Sequence, residues 1–171
     1  MTPVDPTTID LLVLDVDGVL TDGRITYDDA GRELKTFHVQ DGSGIKYWHR
    51  AGKRSAIITG RRSNVVDRRA GELGVSLVRQ GAIDKLPALR EILAELDVEP
   101  ARVAYMGDDL PDLPAMRICG LKIAVPNAVD EIKTVADWIA PVAGGHGAVR
   151  WAIEKLLRDS GLWATLMTRY A

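Results

Sequence analysis

The sequence predicts an α/β protein built on a parallel sheet flanked by helices. Three observations carry this. Residues 9–16, 55–58 and 103–106, and the weaker run 121–125, are apolar at nearly every position and stop at small, acidic or proline residues. Strands buried on both faces read this way, whereas half-exposed strands alternate. Helical spacings lie between the runs, and such alternation implies right-handed βαβ units. Composition agrees, with 46% hydrophobic and 27% charged residues in 171, enough apolar surface for one globular domain.

The first nine residues, rich in Thr and Pro, read as a loose arm before the first strand. Residues 24–40 alternate apolar and polar side chains (Ile25, Tyr27, Leu34, Phe37, Val39) around Asp28-Asp29-Ala30-Gly31, which predicts a β-hairpin. A helix is expected over 44–50 and another from a Ser63 cap to Leu73, stopped by Gly74. Between Asp84 and Leu96 the residues Leu86, Leu89, Ile92, Leu93 and Leu96 keep one helical face. Pro87 falls in its first turn, where a missing N–H costs nothing. Residues 149–157 repeat the pattern, and the apolar tail 161–171 needs a surface to dock on.

Several function classes drop out early. With 22 basic and 24 acidic residues the formal charge is −2, so the basic excess of a nucleic-acid binder is missing. One cysteine, Cys119, excludes an internal disulfide and reads as core filler. No apolar run reaches the ~20 residues of a membrane span. The start has no basic region followed by an apolar stretch, so a cytoplasmic protein is expected.

Four polar signals sit at the carboxyl ends of predicted strands or at the starts of following helices: Asp15-Val16-Asp17-Gly18, Thr59-Gly60-Arg61, Lys85 and Gly107-Asp108-Asp109. In an open α/β sheet, ligands bind in the crevice beyond those strand ends. Carboxylates crowded there repel one another, and a divalent cation relieves the cost. Oxygen ligands without histidine or cysteine point to Mg2+ rather than zinc. Each signal alone has a plain reading as a turn, a cap or a solvated lysine. Four at equivalent places point to one site.

These motifs, DVDGVLTDG at 15–23, ITGR at 58–61, Lys85 and GDDLPD at 107–112, resemble the haloacid dehalogenase-like phosphohydrolases over most of the chain. The resemblance implies a Rossmann-like sheet with Asp15 as nucleophile, forming an aspartyl-phosphate. Asp17 would serve as acid and base. Thr59 would donate to a phosphoryl oxygen, and Lys85 would neutralise charge. Asp15, Asp17 (through its backbone carbonyl) and Asp108 would hold Mg2+, with Asp109 supporting them. Only 42 positions separate Asp17 from Thr59 and 26 separate Thr59 from Lys85, too few for the cap domain many relatives insert. A neighbouring copy is therefore expected to close the site.

The segments GRELKTFHVQDGSGI at 31–45 and AGGHGAVR at 143–150 narrow the resemblance to the capless 3-deoxy-D-manno-octulosonate 8-phosphate phosphatases. This family is tetrameric, with hairpins meeting at the centre, so a homotetramer acting on a small acidic sugar phosphate is implied. Its substrate positions correspond here to His38, Val39, Gln40, Asp41, Gly42, Lys46, Gly60, Arg61 and Arg69. The chain departs from the family at Lys46, usually arginine, His38, usually asparagine, His146, usually arginine, and Trp151, usually acidic. Alternatives are a nonulosonate 9-phosphate phosphatase and a non-catalytic tetramerisation module. A receiver-type signalling domain shares the residue types, but its acidic pair precedes a later phosphoacceptor, the reverse of the order here.

Overall fold

β1 (Leu11–Leu14) runs through the middle of a six-stranded sheet, with every one of its side chains apolar and buried. The computed structural model describes residues 4–171, so the first three residues of the predicted arm lie outside the described residues. The rest of the arm forms a 3-10 turn, Pro6–Thr8, capped by Asp5.

After β1 come the hairpin strands β2 (Thr26–Tyr27) and β3 (Glu33–Leu34), helix α1 (Val39–Arg50), and β4 (Arg54–Thr59). Next are α2 (Asn64–Leu73), β5 (Leu77–Gln80), α3 (Lys85–Leu96), β6 (Val103–Gly107) and α4 (Leu113–Ile118). The chain ends with β7 (Leu121–Ala124), α5 (Asp130–Val135), β8 (Trp138–Ile139), α6 (Ala148–Asp159) and α7 (Leu162–Met167). The sheet order is β5-β4-β1-β6-β7-β8, parallel throughout. Connections leave β1 toward β4 on one side and resume at β6 on the other. The carboxyl end of β1 is therefore the switch point where an α/β sheet opens a crevice.

Three expectations need correction. The first apolar run is strand only to Leu14: the Asp15 carboxylate accepts the Val16 N–H at 2.7 Å, and Val16–Leu20 makes a wide turn. The hairpin is shorter than 24–40, with two residues in each strand. α1 begins at Val39 rather than 44, so Val39 and Gln40 are helical. Gly42 and Gly44 are poor helix formers and hid that first turn.

Tertiary packing rather than propensity fixes the turn. A Cβ on Gly44 would come within 3.1 Å of the Arg150 Cα, so the glycine lets α1 and α6 approach closely. Asp41, 1% exposed, reaches across to accept the N–H groups of Gly147 at 3.3 Å and Arg150 at 2.7 Å. Gly147, at the cap position of α6, has no side chain to do this itself. Asp41→Ala strips these buried donors of their acceptor. It is expected to lower stability by about 1–3 kcal/mol in a denaturant titration, with an unchanged slope.

The tail docks on its own chain. Trp163 of α7 packs edge-on to Tyr47 at 6.2 Å, and Tyr170 accepts a hydrogen bond from Arg50 at 2.8 Å. Cys119 is core, its thiol pushed up to about 12 by burial. No helix among the described residues is long and apolar enough to cross a membrane.

Candidate active site

The turn after β1 is shaped by contacts distant in sequence. Gly18 has φ +89°, and a Cβ there would overlap the Asp108 carboxylate, so only glycine lets the two loops approach. Its carbonyl accepts the Asn127 side-chain N–H at 2.9 Å, and Asn127 in turn accepts the Gly144 N–H at 2.8 Å. A Cβ on Gly144 would overlap that same Gly18 carbonyl, and the Gly145 N–H donates to Val19 at 3.0 Å. The glycine-rich segment at 143–147 is thus a clamp on the turn that carries Asp15 and Asp17.

Beyond the strand ends lies a cleft of about 390 Å³ lined by Asp15, Asp17, Thr59, Gly60, Arg61, Lys85, Asp108 and Asp109, with Gly23, Ile83 and Pro111. Thr59 closes β4 with its side chain buried. Asp109 is exposed and caps the turn Leu110–Asp112, accepting the Leu110 N–H at 2.8 Å. All seven polar residues of the four strand-end signals come together.

The other positions implied by resemblance do not line this cleft. Val39 and Arg69 face a separate groove of about 640 Å³ with Phe37, Asn64, Val65, Arg68 and Glu72. Lys46 is exposed on α1, Gln40 lies in its exposed first turn, Asp41 turns inward to α6, and Gly42 packs against Arg69. His38 precedes α1 with a buried, unpartnered Nδ1.

At its floor the cleft is a charge cluster. Lys85 Nζ stands 2.9 Å from Asp15 Oδ1 and 2.7 Å from Asp112 Oδ1. Asp112, fully buried, also accepts from the Tyr105 hydroxyl at 2.9 Å and from the N–H groups of Asp108 and Asp109 at 3.2 and 3.3 Å. Asp112 closes the GDDLPD motif, which assigns it no role by sequence alone. Its place three residues after Asp109 is the spacing of a capping box, which returns the Asp112 carboxylate to the Asp109 N–H. Lys35, which no motif singles out, also reaches Asp17 from the hairpin arm.

The electrostatics follow from burial. Burial, then Asp112, pushes Asp15 well above the usual carboxylate range, against the pull of Lys85. The same two causes lift Asp108 to about 6. For Lys85, burial pulls downward, but Asp15 and Asp112 outweigh it and hold the ammonium above its ordinary value.

Asp15, Asp108 and Asp112 offer carboxylate oxygens within 4.8 Å of one another, and Asp108 Oδ1 is buried with no hydrogen-bond partner. Three hard oxygen donors with one orphaned lone pair fit an oxygen-loving divalent cation. The side chain of Asp17 is outside that trio, and the contribution that resemblance implies for Asp17 is its backbone carbonyl. Such a cation competes with protons for Asp15 and Asp108. The rise in melting midpoint that it causes is therefore expected to be large at about pH 7.5 and to shrink as pH falls through the Asp108 value near 6. The half-buried His49, which burial holds below its ordinary value, affects both arms equally and cancels. Melts with and without magnesium across that range check this.

A family model described as haloacid dehalogenase-like hydrolase matches residues 76–153. The 3-deoxy-D-manno-octulosonate 8-phosphate phosphatase of Escherichia coli strain K12 is 44% identical over 153 residues, 90% of this chain and 81% of its own length. The crystal structure of the Moraxella catarrhalis phosphatase of the same name, in complex with magnesium, phosphate and KDO, superposes with a TM-score of 0.95 at 44% identity. It covers 98% of this chain and 96% of that one. The cobalt-bound Haemophilus influenzae phosphatase gives 0.88 at 38% identity, covering 92% of each chain.

Proposed function

Because the chain belongs to the 3-deoxy-D-manno-octulosonate 8-phosphate phosphatase family of haloacid dehalogenase-like hydrolases, we propose that it hydrolyses this sugar phosphate to KDO and phosphate with magnesium. The observation that carries the reading is the buried Asp15–Lys85–Asp112 arrangement at the cleft floor, facing Asp108. Magnesium, when bound by Asp15, Asp108 and the Asp17 carbonyl, supplies the positive charge that keeps these carboxylates ionised and offsets that of the phosphate. Asp112 stands close enough to join or orient that set.

The chain's own residues do the rest. An oxygen of Asp15 attacks phosphorus while the bond to the sugar oxygen breaks, and Asp17 donates the proton that the departing oxygen takes up. Water then attacks the aspartyl-phosphate, Asp17 takes its proton, and Asp15 is released with phosphate. Lys85 stays fixed between Asp15 and Asp112, so its charge is already aimed when the phosphoryl group arrives. Thr59 and Gly60 form the wall that would receive a phosphoryl oxygen, and Arg61 faces the mouth, where an acidic sugar needs a cation.

The assembly we propose is a homotetramer in which the start of α1 and Arg69 serve a neighbour's cleft. Two features support it. His38 to Gly42, Lys46 and Arg69 do not line their own cleft, and the hairpin exposes Ile25, Tyr27 and Leu34, as α1 exposes Val39. A two-stranded hairpin of this size needs a partner surface to be ordered. We assign the enzyme to the cytoplasm, where the lone buried thiol of Cys119 stays reduced.

Phosphate release from the octulosonate 8-phosphate, a nonulosonate 9-phosphate and a neutral hexose phosphate, with magnesium and with chelator, tests the reading. Magnesium-dependent preference for the first is expected. Preference for the nonulosonate would keep the chemistry and replace the substrate.

A further inference from the structure

Lys35 lies one residue past β3 on a hairpin that is otherwise largely exposed, yet its side chain is only 2% exposed. Its Nζ meets Asp17 Oδ1 and stands 3.5 Å from Glu33 Oε1. Glu33 accepts a hydrogen bond from Arg61 at 2.8 Å, and Arg61 Nε approaches the other oxygen of Asp17 at 4.0 Å. Glu33 and two cations thus surround Asp17, with Lys35 paired to one of its oxygens and Arg61 Nε near the other without a hydrogen bond. Asp17 is also the acidic side chain of the cleft turn that does not join the Asp15–Asp108–Asp112 trio.

Burying an ammonium group is costly unless it is paired, and a hairpin with two residues per strand gains little stability from one. A hairpin serving association alone needs apolar side chains, which it already has in Ile25, Tyr27 and Leu34. The buried lysine answers to Asp17 instead.

We infer that Lys35 is a positioning residue for the phosphoryl-transfer reaction: it holds the Asp17 carboxylate out of the metal-binding cluster and at the cleft mouth, where the sugar oxygen departs. Its buried Nζ is taken up by protein carboxylates and does not read the substrate. The inference rests on the proposed acid–base role of Asp17.

The test compares kcat/KM for the octulosonate phosphate with that for an aryl phosphate, whose phenolate departs without a proton. The variants are Lys35→Met, which keeps the aliphatic stem, and Lys35→Arg, which keeps the charge. The inhibition constant of free KDO is measured alongside. For Lys35→Met, kcat/KM for the sugar phosphate is expected to fall on the order of 10²-fold and that for the aryl phosphate by less than about threefold. KDO inhibition should be unchanged, and Lys35→Arg should recover most of the loss.

Equal loss on both substrates, or none, would overturn the inference, as would a selective loss matched by weaker KDO inhibition, which would make Lys35 a substrate contact. If Lys35→Met fails to fold, Lys35→Gln, which keeps a polar head but removes the charge, decides by the same ratio. Wild-type turnover is measured first. Inactivity toward the octulosonate phosphate contradicts the substrate assignment, and Lys35 is then judged on whichever alkyl phosphate the enzyme does hydrolyse.

Discussion

Asp15→Asn is expected to lower phosphate release by at least about four orders of magnitude while leaving the fold intact. The side chain keeps its shape, and its position is fixed by β1 and by the N–H of Val16 at 2.7 Å. An amide has no oxygen nucleophile to offer phosphorus, so the covalent route closes at its first step. The substitution also removes a buried carboxylate whose charge is opposed by burial, by Asp112 and by Asp108. The melting midpoint in chelator should therefore be no lower than that of the wild type. Phosphate-release assays and thermal melts on the same preparation check both halves. A variant that retains turnover would remove Asp15 from the nucleophile role.

Lys85→Met has the second large effect, and it reaches both stability and rate. The ammonium is 4% exposed and is shared by Asp15 and Asp112, at 2.9 and 2.7 Å. Removing one partner of a buried ionic cluster costs about 3–5 kcal/mol, because the remaining charges stay buried without compensation. Asp15 is already pushed toward its protonated form by burial and by Asp112, and loss of Lys85 removes a main opposing influence. A protonated carboxyl is a poor nucleophile, so kcat should fall on the order of 10²–10³-fold. Magnesium is expected to restore part of the melting midpoint, since it supplies charge, but not the rate, since Lys85 is also placed to meet the phosphate. Equal recovery of both would show that any cation in the cluster suffices.

Much of this was legible in the sequence because the site is built from strand ends. Leu11, Leu12, Val13 and Leu14 are apolar without interruption, which marks a central strand, and Asp15 follows immediately at the crevice. Thr59 and Asp108 stand at the ends of β4 and β6 for the same reason, and Lys85 opens α3. The parts that stayed hidden depend on contacts across the chain. Resemblance alone makes Asp41 a substrate position, and nothing local reveals that it also caps α6, which lacks a cap of its own. Asn127 sits 109 positions from the Gly18 carbonyl it holds. Lys35 reads as one more polar position in an alternating hairpin until the fold lays that arm over Asp17. The first turn of α1 was missed because its glycines serve helix packing rather than helix propensity.

The central claim is that phosphorus is transferred first to Asp15 and only then to water. The stereochemical course at phosphorus tests it most directly, using a thiophosphate monoester made chiral with sulfur and two oxygen isotopes and, in single turnover, water carrying the third oxygen isotope. Two successive in-line displacements predict net retention of configuration. Net inversion would mean a single direct attack by water, and would contradict the role given to Asp15.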